Sequence, residues 1–287
     1  MNPNDIKLTD QVAIVTGGGG GIGRAIAIAY AQAGADVVIA DIIPERCEEA
    51  ALRVRETGRK ALPLVVDVMD TEQIRTMVEK TDAEFHRIDI LCNNAGGVAG
   101  RPFLEQSERS WRRHIDINLV SMLAATHAVA PVMIRGGRGG TILNIASIEA
   151  SRAAPNFSVY AACKAGMVSF TRTMAVELAA HGIRVNCIAP DHTVSPGSRG
   201  NRTGPVDPCS WPEQTPEQHD AWARLIPLGR EGVDSECGNA AVFLASKMSE
   251  YVTGVIMPVD GGTWASSGWF RGRDGKWTLL DGLQFGR

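Results

Sequence analysis

At 287 residues, with 44% hydrophobic and 21% charged side chains and 31 glycines, the chain is long enough for one large α/β domain with a sizeable core. Its net charge of −3 comes without a basic stripe or a run of like charges, so neither nucleic acid nor an anionic membrane is an expected partner. The opening MNPNDIKLTDQ lacks the basic and apolar regions of a secretory signal, and the cysteines at 47, 92, 163, 187, 209 and 237 form no CxxC pair. A cytoplasmic protein with reduced thiols and no metal site is expected.

The first element, QVAIVTGGGGGIGRAIAIAYAQAGADVVIAD, reads as a strand, a glycine-rich turn, an amphipathic helix and a second strand ending at Asp41. This is a mononucleotide-binding βαβ unit. Gly17, Gly21 and Gly23 permit the tight turn and the close approach of a pyrophosphate, whose charge faces the free amides around Ile22 at the start of the helix. Asp41, about 20 residues past the loop, is placed to accept hydrogen bonds from an adenosine ribose and to repel a 2′-phosphate. Neither Gly20 nor Ile42 offers the positive charge such a phosphate needs, so NAD is expected over NADP.

A helix over 45–58, the strand ALPLVVDV, a helix over 71–86 and the strand IDILCNNAGG continue the alternation. That rhythm implies a doubly wound parallel sheet of about seven strands with helices on both faces, a three-layer Rossmann-type fold. Asp67 ends the third strand and Asn93 to Gly96 end the fourth, at the edge where such sheets bind ligands. The long pattern SERSWRRHIDINLVSMLAATHAVAPVMI becomes apolar nearly all round after Asp116, which reads as a buried helix. Asn118, Ser121, His127 and Pro131 interrupt it and argue against a membrane span. His127 is expected in packed surroundings as a structural histidine.

The chemistry is expected between Ser147 and Lys164. Ser147 follows the buried strand TILNIA, so its hydroxyl emerges at the carboxyl edge, and Tyr160 and Lys164 share a helix face four residues apart. Tyrosine's ordinary pKa near ~10 is too high for a general base at neutral pH. An ammonium about 4 to 6 Å away, in an effective dielectric near 20, favours the phenolate by roughly 3 to 4 kcal/mol, or roughly 2 to 3 pH units. Ser147 can then hold the substrate oxygen. GIRVNCIAP supplies a sixth strand, and the segment 191–230, rich in Gly, Pro, Ser and Asn with Trp211 and Trp222 among them, reads as an irregular lid. A helix over 235–246 and the strand VTGVIMPVD finish the sheet. Beyond them Trp269, Phe270, Trp277, Leu279, Leu280, Leu283 and Phe285 are too many apolar groups for a solvated tail, so residues 265–287 form an aromatic extension docked on a folded surface.

The ordered set TGGGGGIG (16–23), NNAG (93–96), Asn118 in DINLV, Ser147 with YAACK from Tyr160, then FLAS and VTGVIMPVDGG, resembles the short-chain dehydrogenase/reductase family over about residues 7–264. The resemblance implies one NAD-binding catalytic domain over 1–264, with Ser147, Tyr160 and Lys164 catalytic, Lys164 also holding the cofactor ribose, and Asn118 holding a water that links Lys164 to solvent. It places Asp67 and Val68 against the adenine, Asn94 near the ribose and Thr193 beside the nicotinamide, with Ser195 replacing the usual threonine. It also implies a dimer or homotetramer built on the long helix; the C-terminal extension is expected either to pack on its own subunit or to cross the interface and close a neighbour's pocket, as the path of the final strand in relatives suggests. The family's Pro-Gly pair is Pro190-Asp191 here, where aspartate reaches glycine's backbone angles only at a cost; His192 faces either substrate or solvent. The expected function is NAD-dependent interconversion of a secondary alcohol and a ketone, on an apolar or cyclic substrate. The competing readings are a 3-oxoacyl thioester reductase and, in another class, a noncatalytic NAD-binding redox sensor.

Overall fold

The computed structural model describes residues 2–201 and 203–279. Its seven-stranded sheet follows directly from apolar runs too short for helices. The strands are β1 (Val12–Thr16), β2 (Asp36–Asp41), β3 (Ala61–Val65), β4 (Ile90–Asn93), β5 (Gly140–Ile145), β6 (Ile183–Pro190) and β7 (Ile256–Val259). All ladders are parallel and the order is β3-β2-β1-β4-β5-β6-β7.

Every second side chain of a strand points to the same face, and both faces here are covered. Ala13, Val15, Val37 and Ile39 enter one core with Tyr30, Ala51 and Ala241. These come from α1 (Gly21–Gln32), α2 (Pro44–Glu56) and α8 (Asp234–Ala245). Ile14, Val38 and Ala40 enter the other core with Ile74, Met77, Val129 and Met133. Those last residues belong to α3 (Thr71–Phe85) and α5 (Ser121–Gly136). α6 (Ser158–Glu177) closes the same face with Ala175. The chain runs outward from β1 to β3 and then returns to pair β4 with the other side of β1, so a crevice opens between the carboxyl ends of β1 and β4.

Three expectations change. The long helix is α4 (Glu108–Ile115) joined to α5 by a π-turn, Asp116–Val120. Although Glu108–Gly136 is long and apolar enough to cross a membrane, Met122, Ala125, Val129 and Met133 are buried in the protein while Leu123, His127 and Ile134 face outward. His127 is therefore exposed in the single chain, because one side of a helix on a sheet always faces away from it. The lid is less irregular than its composition suggests, since α7 (Pro216–Leu225) lies within it, started by a capping box of Thr215 and Gln218. Beyond β7, a helical turn at Thr263–Ser266 leads to a short hairpin, β8 (Phe270–Arg271) with β9 (Trp277–Thr278), against the end of α7 of the same chain. Trp264, Trp269 and Trp277 stay about half exposed there, and Leu280, Leu283 and Phe285 lie outside the described residues.

Candidate active site

The glycine turn after β1 is shaped by crowding. Gly17 has φ 61°, and a Cβ on Gly23 would lie 2.1 Å from the Gly17 carbonyl oxygen and 2.3 Å from Asn94 Nδ2. Helix α1 can start against the turn only without a side chain there. Asn94 braces this arrangement from the end of β4, donating to the carbonyls of Thr16 at 3.0 Å and Gly17 at 3.1 Å. Its side-chain nitrogen is thus engaged by the turn. Ile22 is half-buried in the first turn of α1, and Gly21 packs against Ser195 and Pro196.

At the end of β2, one Asp41 oxygen accepts from the Gly19 amide at 3.0 Å and the other from Ile43 N at 3.1 Å. The carboxylate so stands at the mouth of the turn. Just past β3, Asp67 accepts from Met69 N at 2.9 Å, and Val68 turns its side chain into the α3-side core, leaving its main chain at the edge. A positive group that the sequence reading missed also lies here. Arg46, five residues past Asp41 in the first turn of α2, is buried beside Gly19 and Gly20, with its guanidinium donating to the carbonyls of Gly204 at 2.7 Å and Asn201 at 2.8 Å. A side-chain-free turn, helix amides and a carboxylate at the neighbouring strand end fit a nicotinamide dinucleotide.

Across the crevice, Ser147 directly follows β5 and is buried; its oxygen accepts from Glu149 N at 3.2 Å. The serine faces Tyr160, where it favours the ionised phenol. Lys164, one turn further along α6, is buried with its ammonium donating to the Ile145 carbonyl at 2.7 Å, and stands 5.7 Å from the centre of the Tyr160 ring. Burial lowers Lys164 from 10.5 to about 8. Tyr160 is raised to about 12, by burial first; Ser147 opposes the rise, and the charges of Glu149 and Asp191 add to it. This corrects the expectation of a phenol pulled down by its lysine. Desolvation dominates, and the Lys164 ammonium bonds to a backbone carbonyl instead of the phenol.

Asn118 sits in the π-turn, fully buried. Its oxygen accepts from Gly97 N at 3.1 Å, and its nitrogen donates to the carbonyls of Gly97 at 2.8 Å and His114 at 3.0 Å. Both ends of the side chain are held by protein, so its visible work is to tie the loop after β4 to the helix. A Cβ on Gly96 would lie 2.9 Å from the Asn118 oxygen and 3.6 Å from Lys164 Nζ, so these three residues meet.

Comparison with known proteins agrees with this geometry. The family profile described as enoyl-(acyl carrier protein) reductase matches residues 17–263. The chain belongs to the short-chain dehydrogenase/reductase family. It is 38% identical over 256 residues to the 3-oxoacyl-[acyl-carrier-protein] reductase FabG of Chlamydia trachomatis, covering 89% of this chain and 98% of that one. It is 38% identical over 264 residues to galactitol 2-dehydrogenase of Agrobacterium fabrum, covering 91% and 100%. The structure of 7α-hydroxysteroid dehydrogenase with NADH and 7-oxo glycochenodeoxycholic acid superposes with a TM-score of 0.83 at 32% identity, over 91% of this chain and 97% of that chain. Two further solved neighbours carry NADP.

In this short-chain dehydrogenase/reductase the turn after β6 is held by Asp191. The left-handed conformation that glycine would ease falls one residue later, on His192, whose φ is 37°. One Asp191 oxygen accepts from Thr263 Oγ1 at 2.7 Å, and faces Arg152 and His192 Nε2 at 3.2 Å each. Arg152 also pairs with Glu149 at 2.7 Å. The His192 ring packs 4.6 Å from that of Trp222 on α7, so His192 joins the lid to the sheet instead of standing in solvent. Thr193 donates to the Asp191 carbonyl at 3.1 Å and bridges to Gly232. Glu149 and Arg152 also escaped the sequence reading, although their three-residue spacing just after Ser147 is that of a paired turn.

Proposed function

We propose that this enzyme interconverts a secondary alcohol and the corresponding ketone with NAD. The observation that supports it best is the convergence of Ser147, Tyr160 and Lys164 at the carboxyl edge of the sheet, across the crevice from a glycine turn whose Gly19 amide is bonded to Asp41. In the oxidative direction Tyr160 takes the hydroxyl proton of the substrate while Ser147 holds the same oxygen. Bound cofactor supplies the hydride acceptor, which no side chain can provide. A Tyr160 near 12 is protonated at neutral pH, so the resting enzyme is set to donate a proton to a ketone, and oxidation gains with alkalinity. The Lys164 ammonium, largely charged at neutral pH with a pKa of about 8, stabilises the phenolate when it forms.

The choice of NAD is supported by Asp41 at the turn and by the engagement of Arg46 with two loop carbonyls. The cavity wall of Ile226, Leu228 and Val259, with His192 backed by Trp222, supports an apolar or cyclic substrate. The similarity to a 3-oxoacyl thioester reductase favours a second reading, reduction of such thioesters. We also propose a dimer or tetramer through the outward face of α4 and α5, where Leu123 and Ile134 are exposed, with residues 265–279 offering half-exposed tryptophans to a neighbouring copy. The six free cysteines suit the cytoplasm.

The test is a panel of secondary alcohols, including steroids and other cyclic ones, with a 3-oxoacyl thioester in the reducing direction, followed by NADH absorbance. Tyr160→Phe should lower kcat by about 100-fold or more while the Kd for NAD stays within a few fold. Retention of more than about a tenth of kcat would remove Tyr160 as the acid-base group, and NAD binding without turnover of any substrate would favour the redox sensor.

A further inference from the structure

A cavity of about 450 Å³ lies beside Thr193, between the ends of β6 and β7 and the segment that follows α7. Its wall carries the carboxylates of Asp191, Glu236 and Asp260 and the guanidinium of Arg230. Arg230 is already paired with Glu236, and Arg152 is shared between Glu149 and Asp191. Four carboxylates, Asp191, Glu236, Asp260 and Glu149, thus stand against two guanidiniums, which leaves the cluster with two negative charges in excess. Asp191 is buried and accepts a hydroxyl hydrogen bond from Thr263; Asp260 accepts from the amides of Gly262 and Trp264. The same cluster reaches the reacting end of the site, because Glu149, whose amide donates to Ser147 at 3.2 Å, shares the Arg152 guanidinium with Asp191.

We propose, resting on the alcohol dehydrogenase reading above, that the substrate is an uncharged hydroxyl compound and that Asp191 rejects its carboxylate- and phosphate-bearing counterparts. A substrate anion about 7 Å from one excess negative charge of this cluster, in a partly wet site, loses roughly tenfold in kcat/KM against a neutral partner of the same shape. Apolar contact with Ile226, Leu228 and Val259 adds no preference between the two.

The experiment uses the full-length enzyme with saturating NAD and a matched pair, 4-hydroxycyclohexanecarboxylate and its methyl amide, at low and high ionic strength. The wild type should favour the amide by about tenfold at low salt. Asp191→Asn should shrink that ratio several-fold toward the acid, and so should Asp191→Gly, which reads the effect if the amide side chain disturbs folding. Equal or better use of the acid by the wild type overturns the proposal, as does a ratio unchanged in both variants. Failure to oxidise either compound, or any other alcohol of the panel, would instead overturn the dehydrogenase reading on which it stands.

Discussion

Replacing Lys164 with methionine should abolish turnover and yet make the protein more stable at neutral pH. Lys164 is buried, and its pKa falls from 10.5 to about 8, so the fold favours the neutral amine. Between those two values the unfolded chain holds a proton on this residue that the folded chain does not, so stability rises with pH through that window and its cost is complete below about 8. The size follows from about 1.4 kcal/mol for each pH unit: roughly 3 kcal/mol at pH 7 relative to pH 11 or so, of which about 1 kcal/mol is recovered by pH 9. Methionine keeps most of the volume and removes the titration. It leaves the Ile145 carbonyl without its 2.7 Å donor, a pH-independent loss of about 1 to 2 kcal/mol. A net gain of about 1 to 2 kcal/mol at pH 7 remains, on the order of 2 to 8 °C in Tm for a domain of this size. Urea unfolding of both proteins at half-unit steps from pH 7 to 9.5 checks it, because all other groups cancel in the difference. A difference that stays flat across that range would refute the account of Lys164 as a charge held against its desolvation.

Asp41→Ala should weaken NAD and narrow its preference over NADP, since the carboxylate that accepts from Gly19 would no longer repel a 2′-phosphate; kcat/KM with both cofactors measures this, and an unchanged ratio would mean that Asp41 does not face the ribose. Gly96→Ala should lower kcat by about tenfold or more with little change in the Kd for NAD, because the new methyl would press on the Asn118 oxygen at 2.9 Å and stand against Lys164. A variant with wild-type kcat would show that Lys164 needs no such fit.

Much of this enzyme was legible from its residues because the decisive features are local. Strand β1 is a run of five buried residues between turn signals. The trio was legible for the same reason: Tyr160 and Lys164 lie one turn apart, and Ser147 follows a strand. What escaped depends on contacts between distant segments. Nothing near residue 46 says that its guanidinium will meet carbonyls at 201 and 204, and nothing in YAACK says that burial will raise Tyr160. Composition likewise shows that the long helix is apolar but not which side meets the sheet, and His127 lies on the outward side.

The position of β1 has a consequence for how the chain comes together during synthesis. This strand lies inside the sheet between β2 and β4, with Ala13 paired to both Val37 and Ile90. Its first neighbour emerges about two dozen residues later, but its second only after α2, β3 and α3 have been made. Until residue 93 has left the ribosome, one edge of an apolar strand is open, with unpaired amides and carbonyls ready to take any extended chain nearby. The Val12 amide also waits for the Asp89 side chain that caps it at 2.8 Å. Nascent chains stalled between β3 and β4 should therefore be the most prone to aggregate, and release just past Asn93 should relieve it.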